Sequence, residues 1–149
     1  MALIRQDAYA TWADFETIGE WTTEELNGRA ILIRGTRGEM PEGSPNFADG
    51  FGDKDQELSG REHSATVEVD WSATNRDFMN TLSKSDVWHV ALQVGTGSNK
   101  YHLISTVPAT IVASHVAEAD TKSKLTYKLA ISWSDIDMAL AKSVPANLY

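Results

Sequence analysis

Four histidines, His63, His89, His102 and His115, are the side chains of this chain best suited to hold a metal or to shuttle a proton near neutral pH. His89 and His102 meet only if the segments that carry them fold back on each other. No pair has the helical spacing of four that makes a metal motif specific, so all four read as strand histidines. Asp49, Asp53, Asp55 and Glu57 crowd into "DGFGDKDQE", a composition like that of a calcium loop. The pattern D-x-[DN]-x-[DN]-G-x5-E is not met there, and a solvated acidic loop is the expectation. "GTGSNK" lacks the spacing of a phosphate-binding loop and is explained by a hairpin turn. Serines, histidines and aspartates are scattered without a nucleophile elbow. The chain has no cysteine, which excludes disulfide staples, thiolate nucleophiles and cysteine-ligated zinc. No catalytic residue, no metal and no cofactor is therefore expected, and the protein reads as something other than an enzyme.

Charge narrows the partners. Twenty-one acids against 13 bases give a formal net charge of -8, so the average surface repels nucleic acid instead of capturing it. Repulsion is still useful to a protein that lets a polyanion pass without sticking. The 149 residues amount to about one domain, taken as 1–149, with enough chain to bury a core. No apolar run is long enough to span a bilayer, and the opening "MALIRQD" lacks the apolar stretch of a signal peptide. No membrane partner and folding in a cytoplasm are the expectations.

The elements that must position any site are mostly strands. "SATVEVDW" (64–71) alternates, with Ala65, Val67, Val69 and Trp71 on one face and Thr66, Glu68 and Asp70 on the other. "SATNRDFMNTLSKSD" reads as a helix of two to three turns, with Thr74 and Asp77 in capping-box spacing and Phe78, Met79 and Leu82 on the face turned to the sheet. "VWHVALQV" (87–94) and "YHLIST" (101–106) form a hairpin around the glycine-rich turn, and "ATIVASHVA" (109–117) pairs with "KLTYKLAISW" (124–133). In the last of these Leu125, Tyr127, Leu129, Ile131 and Trp133 share one face, which fixes its register. Trp71, Trp88 and Trp133 are expected in the core. "AILIR" (30–34) is a short strand, "TTEEL" (22–26) a brief helical turn ended by Gly28, "SDIDMALAK" (134–142) a short capped helix, and 143–149 an exposed tail. Trp12 and Trp21 lie in an acidic amino-terminal segment that shows no strand pattern. The fold class is mainly β, an antiparallel sandwich or barrel of about six to eight strands with one flanking α-helix and a long extended loop.

That loop, residues 35–60, is the strongest functional signal. It has no periodicity, and irregular connections beyond roughly 12–15 residues in a compact domain are usually functional or disordered. Six acids (Glu39, Glu42, Asp49, Asp53, Asp55, Glu57) stand against Arg37 and Lys54, a net -4 and half of the chain's total. Met40, Phe47, Phe51 and two prolines are apolar groups that a purely solvated linker does not favour. An arm ordered by docking on a neighbouring subunit accounts for both properties. The inter-subunit loop is taken as 35–62, with Glu39, Met40, Phe47, Phe51, Asp53 and Asp55 as its contact residues.

The order of parts, a strand, a long acidic Gly-rich loop, "ATVEVDW", the helix "NRDFMNTLSK" and paired strands ending in "ATIVASHVAEADTKSKLTYKLAISW", resembles the tail tube (major tail) proteins of tailed bacteriophages. The closing stretch, "ATIVAS", a polar turn and "LTYKLAIS", carries most of the likeness, which covers residues 60–149 well and the first 60 by layout. The resemblance implies a virion structural protein made in the host cytoplasm. It would assemble into stacked, hexameric rings, contact other tail proteins, and line a channel through which DNA passes without specific binding. Glu68 and Asp70 are then candidates for the acidic lumen. Two alternatives remain, a capsid decoration or head-tail joining protein and a β domain that binds calcium or a small ligand. Oligomer size in solution separates the first, and a ligand-induced rise in melting temperature the second.

Overall fold

The computed structural model describes residues 1–5, 30–35, 37–50, 56–84, 88–96, 98–105, 107–117, 122 and 124–143. The protein is mainly β, with antiparallel sheets and, among the described residues, one short α-helix. The first sheet has the order β10-β7-β6-β1-β2, from Leu140–Ser143, Tyr101–Ile104, Trp88–Val94, Ala2–Arg5 and Ala30–Leu32. The second has the order β3-β5-β9-β8, from Arg37–Glu39, Gln56–Asp70, Thr126–Asp135 and Thr110–Val116. Strand β4, Ser44–Asp49, lies along the same edge of β5 as β3 but nearer its start.

Alternation decides which faces meet. Val67, Ala65, Leu129, Ile131, Tyr127 and Ile111 of the second sheet join Leu3, Val90 and Leu92 of the first in one buried cluster. The first sheet is buried on its other face as well. Ala91 and Ile104 stand opposite each other at 0% exposure, and the pair Gln93–His102 follows on that side. Burial on both faces explains why "VWHVAL" reads as a nearly continuous apolar run. At the hairpin between β6 and β7, Gly95 has φ +82, a left-handed conformation that suits glycine.

His102 is 1% exposed, and its pKa is lowered from 6.5 to about 4, by burial first and by the positive charge of the amino terminus second. An unfolded chain takes up this proton near pH 6.5 and the folded chain only near pH 4. The stabilising contribution is complete above pH 6.5 and is lost as the pH falls towards 4. Between pH 7 and pH 5 the wild type should lose roughly 2 kcal/mol more than His102→Gln, read from urea midpoints at the two values. Equal losses would refute the assignment.

After β5 a 3-10 turn, Ala73–Asn75, leads into α1, Arg76–Leu82. The capping box expected of Thr74 is not formed. The Thr74 hydroxyl pairs with that of Ser72 at 2.8 Å, and Asn75 occupies the N-cap without a side-chain hydrogen bond. The helix does pack on the sheets through Met79 and Leu82, and the Ser83 hydroxyl accepts the Ala113 N–H at 2.9 Å on the outer edge of β8. One backbone donor of an open strand edge is thereby closed to other strands.

Three further expectations are corrected. Residues 134–142 are not a helix: β9 runs to Asp135, whose carboxylate accepts the N–H groups of Ile136 (2.7 Å) and Asp137 (3.4 Å), and Leu140–Ser143 pairs with β7. The Asx turn uses the same aspartate that an N-cap would use. Trp71 is 45% exposed because the chain leaves the sheet after Asp70, and Leu125, just before β9, is 38% exposed. Ten strands are described instead of six to eight, because several short edge strands lack any alternating pattern. The expected turn at 22–26, Trp12 and Trp21, and residues 144–149 of the tail lie outside the described residues.

Candidate functional site

The segment between Gly35 and Gly60 is largely paired, which corrects the expectation of an irregular loop. Arg37–Glu39 lies against Thr66–Glu68 as β3, and Ser44–Asp49 lies against Gln56–Glu62 as β4. Strand β9 ends opposite Arg61, so residues 56–60 of β5 have β4 as their neighbour in the sheet. At about 3.4 Å per residue, this two-stranded ribbon projects roughly 17 Å past the body of the second sheet. The projecting part of the segment therefore starts at Asn46 and not at Gly35.

A bulge shapes the ribbon. Asn46 opposes Gly60 and Phe47 opposes Leu58, leaving Ser59 as the extra residue, its hydroxyl donating to the Asn46 carbonyl at 3.0 Å. The inserted residue places Leu58 and Phe47 together on the side continuous with the core face of β5. Phe47 is 58% exposed and Leu58 half-buried. Ile136 and Met138, in the turn that follows β9 at the same end of the sandwich, are 55% and 72% exposed. This end thus presents several large apolar side chains that its own domain leaves uncovered.

The base of the ribbon is held by a clasp that sequence reasoning missed. His63 is 2% exposed and stacks on Trp133 with ring centroids 4.9 Å apart and planes 8° from parallel. Its Nε2 lies 3.1 Å from the Asp137 carbonyl, which can only accept, so that nitrogen carries the proton. Against the ring sits Gly43 at φ +71, where a Cβ would come within 2.8 Å of His63 Cε1. Arg61 donates to the Gly43 carbonyl at 3.2 Å. Extending the alternation of Ala65 and Val67 back by one step places His63 on the core face, and that was the available signal.

The expected contact residues do not form one cluster. Glu39 ends β3, paired on its own domain, with its N–H directed to the Thr66 hydroxyl at 3.3 Å. Met40 lines an open cavity of about 310 Å³ with Met1, Val67 and Leu92, beside the buried amino terminus that donates to Ile33. Phe47 alone is found on the ribbon; Phe51, Asp53 and Asp55 lie outside the described residues. Glu68 and Asp70 do share the outer face of the second sheet with Glu39 and Glu62, amid Ser64, Thr66, Ala130 and Ser132. Glu68 accepts from Arg37 at 2.7 Å, which offsets its charge, whereas Asp70 is exposed at the end of β5. Among the described residues no group of three or more His, Asp or Glu side chains is placed to hold a metal ion. The sequence matches no family model and no curated protein, so what the chain does has to be inferred from the ribbon, the faces and the charges just described.

Proposed function

We propose that this protein is a non-enzymatic virion subunit, the repeating unit of a phage tail tube that assembles as stacked, hexameric rings around a channel for DNA. The observation that carries this reading is the ribbon, a projecting hairpin that holds Phe47, 58% exposed, opposite the half-buried Leu58. A subunit that stayed alone would gain nothing from exposing such an element. The order of strands, arm and helix resembles the tail tube family in the same way. Heterologous contacts between neighbouring subunits close a ring, and axial contacts through an arm stack one ring on the next.

The outer face of the second sheet suits the channel wall. Its small residues, Ser64, Thr66, Ala130 and Ser132, leave a low, polar surface. Glu39, Glu62, Glu68 and Asp70 outnumber Arg37 and Lys128 there. A wall of that sign forms few of the salt-sensitive phosphate contacts that hold DNA in place. Purified protein imaged by negative-stain microscopy should show rings or tubes with a central channel. A protein that remains monomeric by light scattering at every concentration would refute the reading, and a discrete trimer that decorates preformed shells would replace it with the capsid decoration alternative.

A further inference from the structure

An open groove of about 440 Å³ lies between β2, the last strand of the first sheet, and α1. Ile31, Ile33, Val69, Phe78 and Met79 make its walls. Ile33 and Met79 belong to the buried core cluster, and the other three pack against it, so the groove is a mouth into the space between the two sheets. Two polar side chains, those of Arg34 and Asn75, also line it, and both are exposed. We infer that this groove is a binding site for an aliphatic carboxylate, a fatty acid of medium chain length, with its tail between β2 and α1 and its carboxylate on Arg34 and Asn75. The inference goes beyond the assembly reading and does not rest on it.

Three observations support this ligand. First, apolar walls with a few polar groups at the mouth are the common form of a small-molecule site, and the volume falls within the usual range of about 300 to 1,000 Å³. Second, the polar groups suit a carboxylate. Arg34 makes no hydrogen bond or ion pair with a described residue, and its guanidinium stays charged. Arg37, which lines the cavity beside Met1, is by contrast already held by Glu68 at 2.7 Å. In a chain of net charge -8, an unpaired arginine beside apolar walls is a favourable place for an anion that carries a tail. The guanidinium fork matches the two oxygens of a carboxylate. Asn75 is the N-cap of α1 without a side-chain hydrogen bond, which leaves its amide N–H free to add a donor. Third, the site is built beforehand. Ile33 exchanges hydrogen bonds with Met1 at 2.8 and 2.9 Å, fixing the backbone from which Arg34 projects, and Ser83 ties the far end of α1 to β8. A preformed site has little ordering left to lose when the ligand enters.

The test is calorimetric titration of the full-length protein with decanoate, kept below its micelle concentration. Decanoate should saturate a single site per chain and raise the melting temperature, as a ligand of the native state must. Acetate, which lacks the tail, and decanol, which lacks the charge, should each bind roughly tenfold or more weakly. Arg34→Gln should weaken decanoate binding by roughly tenfold and leave decanol unchanged. Asn75→Asp should act in the same direction, because it keeps a favoured N-cap residue and sets a like charge against the ligand. No saturable binding of decanoate, or an affinity that neither variant moves, would overturn the proposal. Binding only to vesicles of anionic phospholipid would assign the groove to a membrane surface. Self-association lost in Arg34→Gln by a protein that ignores decanoate would assign it to a second copy, and either result overturns the fatty acid. Decanoate binding by a protein that stays monomeric would keep this site and remove the tube reading, and rings without decanoate binding would do the reverse.

Discussion

Trp133→Ala should destabilise the protein by about 3–5 kcal/mol, a sizeable part of the roughly 5–15 kcal/mol that holds a domain together. Trp133 is 4% exposed, near the end of β9, and packs in the central cluster. Truncation removes a large buried surface and leaves a void under the base of the ribbon. It also strips His63 of its stacking partner, and aromatic pairs of this kind contribute about 0.5–1.5 kcal/mol beyond burial. Trp133→Phe should behave differently. The indole Nε1 is buried without a hydrogen-bond partner, so phenylalanine keeps a ring against His63 and removes an N–H that nothing satisfies. Urea denaturation followed by circular dichroism should place the phenylalanine variant within about 1.5 kcal/mol of wild type. If the two variants lost equal stability, the indole would be making a contact other than the stack, and the clasp at the ribbon's base would need another explanation.

The same clasp marks how far the sequence could be read. Strands with one face on the core declared themselves: Tyr127, Leu129, Ile131 and Trp133 alternate along β9 because every second position meets the opposite sheet. Strand β5 was legible only over that part of its length. In "QELSGREH" the apolar positions do not alternate, since residues 56–62 pair with β4 where most side chains meet solvent, and pairing alone imposes no hydrophobic period. Strand β3, Arg37–Glu39, is exposed at all three positions and was invisible for the same reason. The helix expected over 134–142 fails at its start, because an aspartate followed by a turn, here Asp135, satisfies backbone donors in the same local way as a helix cap. What decided the matter was long-range pairing of β10 with β7, which no local pattern encodes. Trp71 fits the alternation and still misses the core, because a strand's period says nothing of where its neighbours end. For the site, acidity and apolar content singled out the segment that holds the projecting ribbon. They could not separate its paired base from its projecting half, a division set by where β9 stops opposite Arg61.

Replacing residues 47–59 by Asn-Gly should abolish tubes while leaving the fold intact. Asn46 and Gly60 are directly paired, so a two-residue type I′ turn closes the hairpin in register with the twist of its strands. The excised part carries Phe47, Leu58 and the bulge, and it lies beyond the last residue of β5 that pairs with β9. Its loss should leave the urea midpoint within about 0.5 kcal/mol of the wild-type value, as expected of a surface change away from core contacts. Everything that holds the base, Gly43 against His63, Arg61 on the Gly43 carbonyl and Ser44 opposite Glu62, is retained. A coarser deletion of residues 40–55 would strip β4 from β5 and open the clasp, so its failure to assemble could be a failure to fold. The shortened hairpin removes that ambiguity, because under the proposed assembly rings stay possible while the projecting ribbon is gone. Microscopy should then show single rings or free subunits in place of tubes, and Phe47→Asp in the full-length chain should reproduce the defect. Normal tubes from a folded, shortened protein would mean that stacking runs through the body of the sandwich, and the projecting ribbon would lose its assigned role.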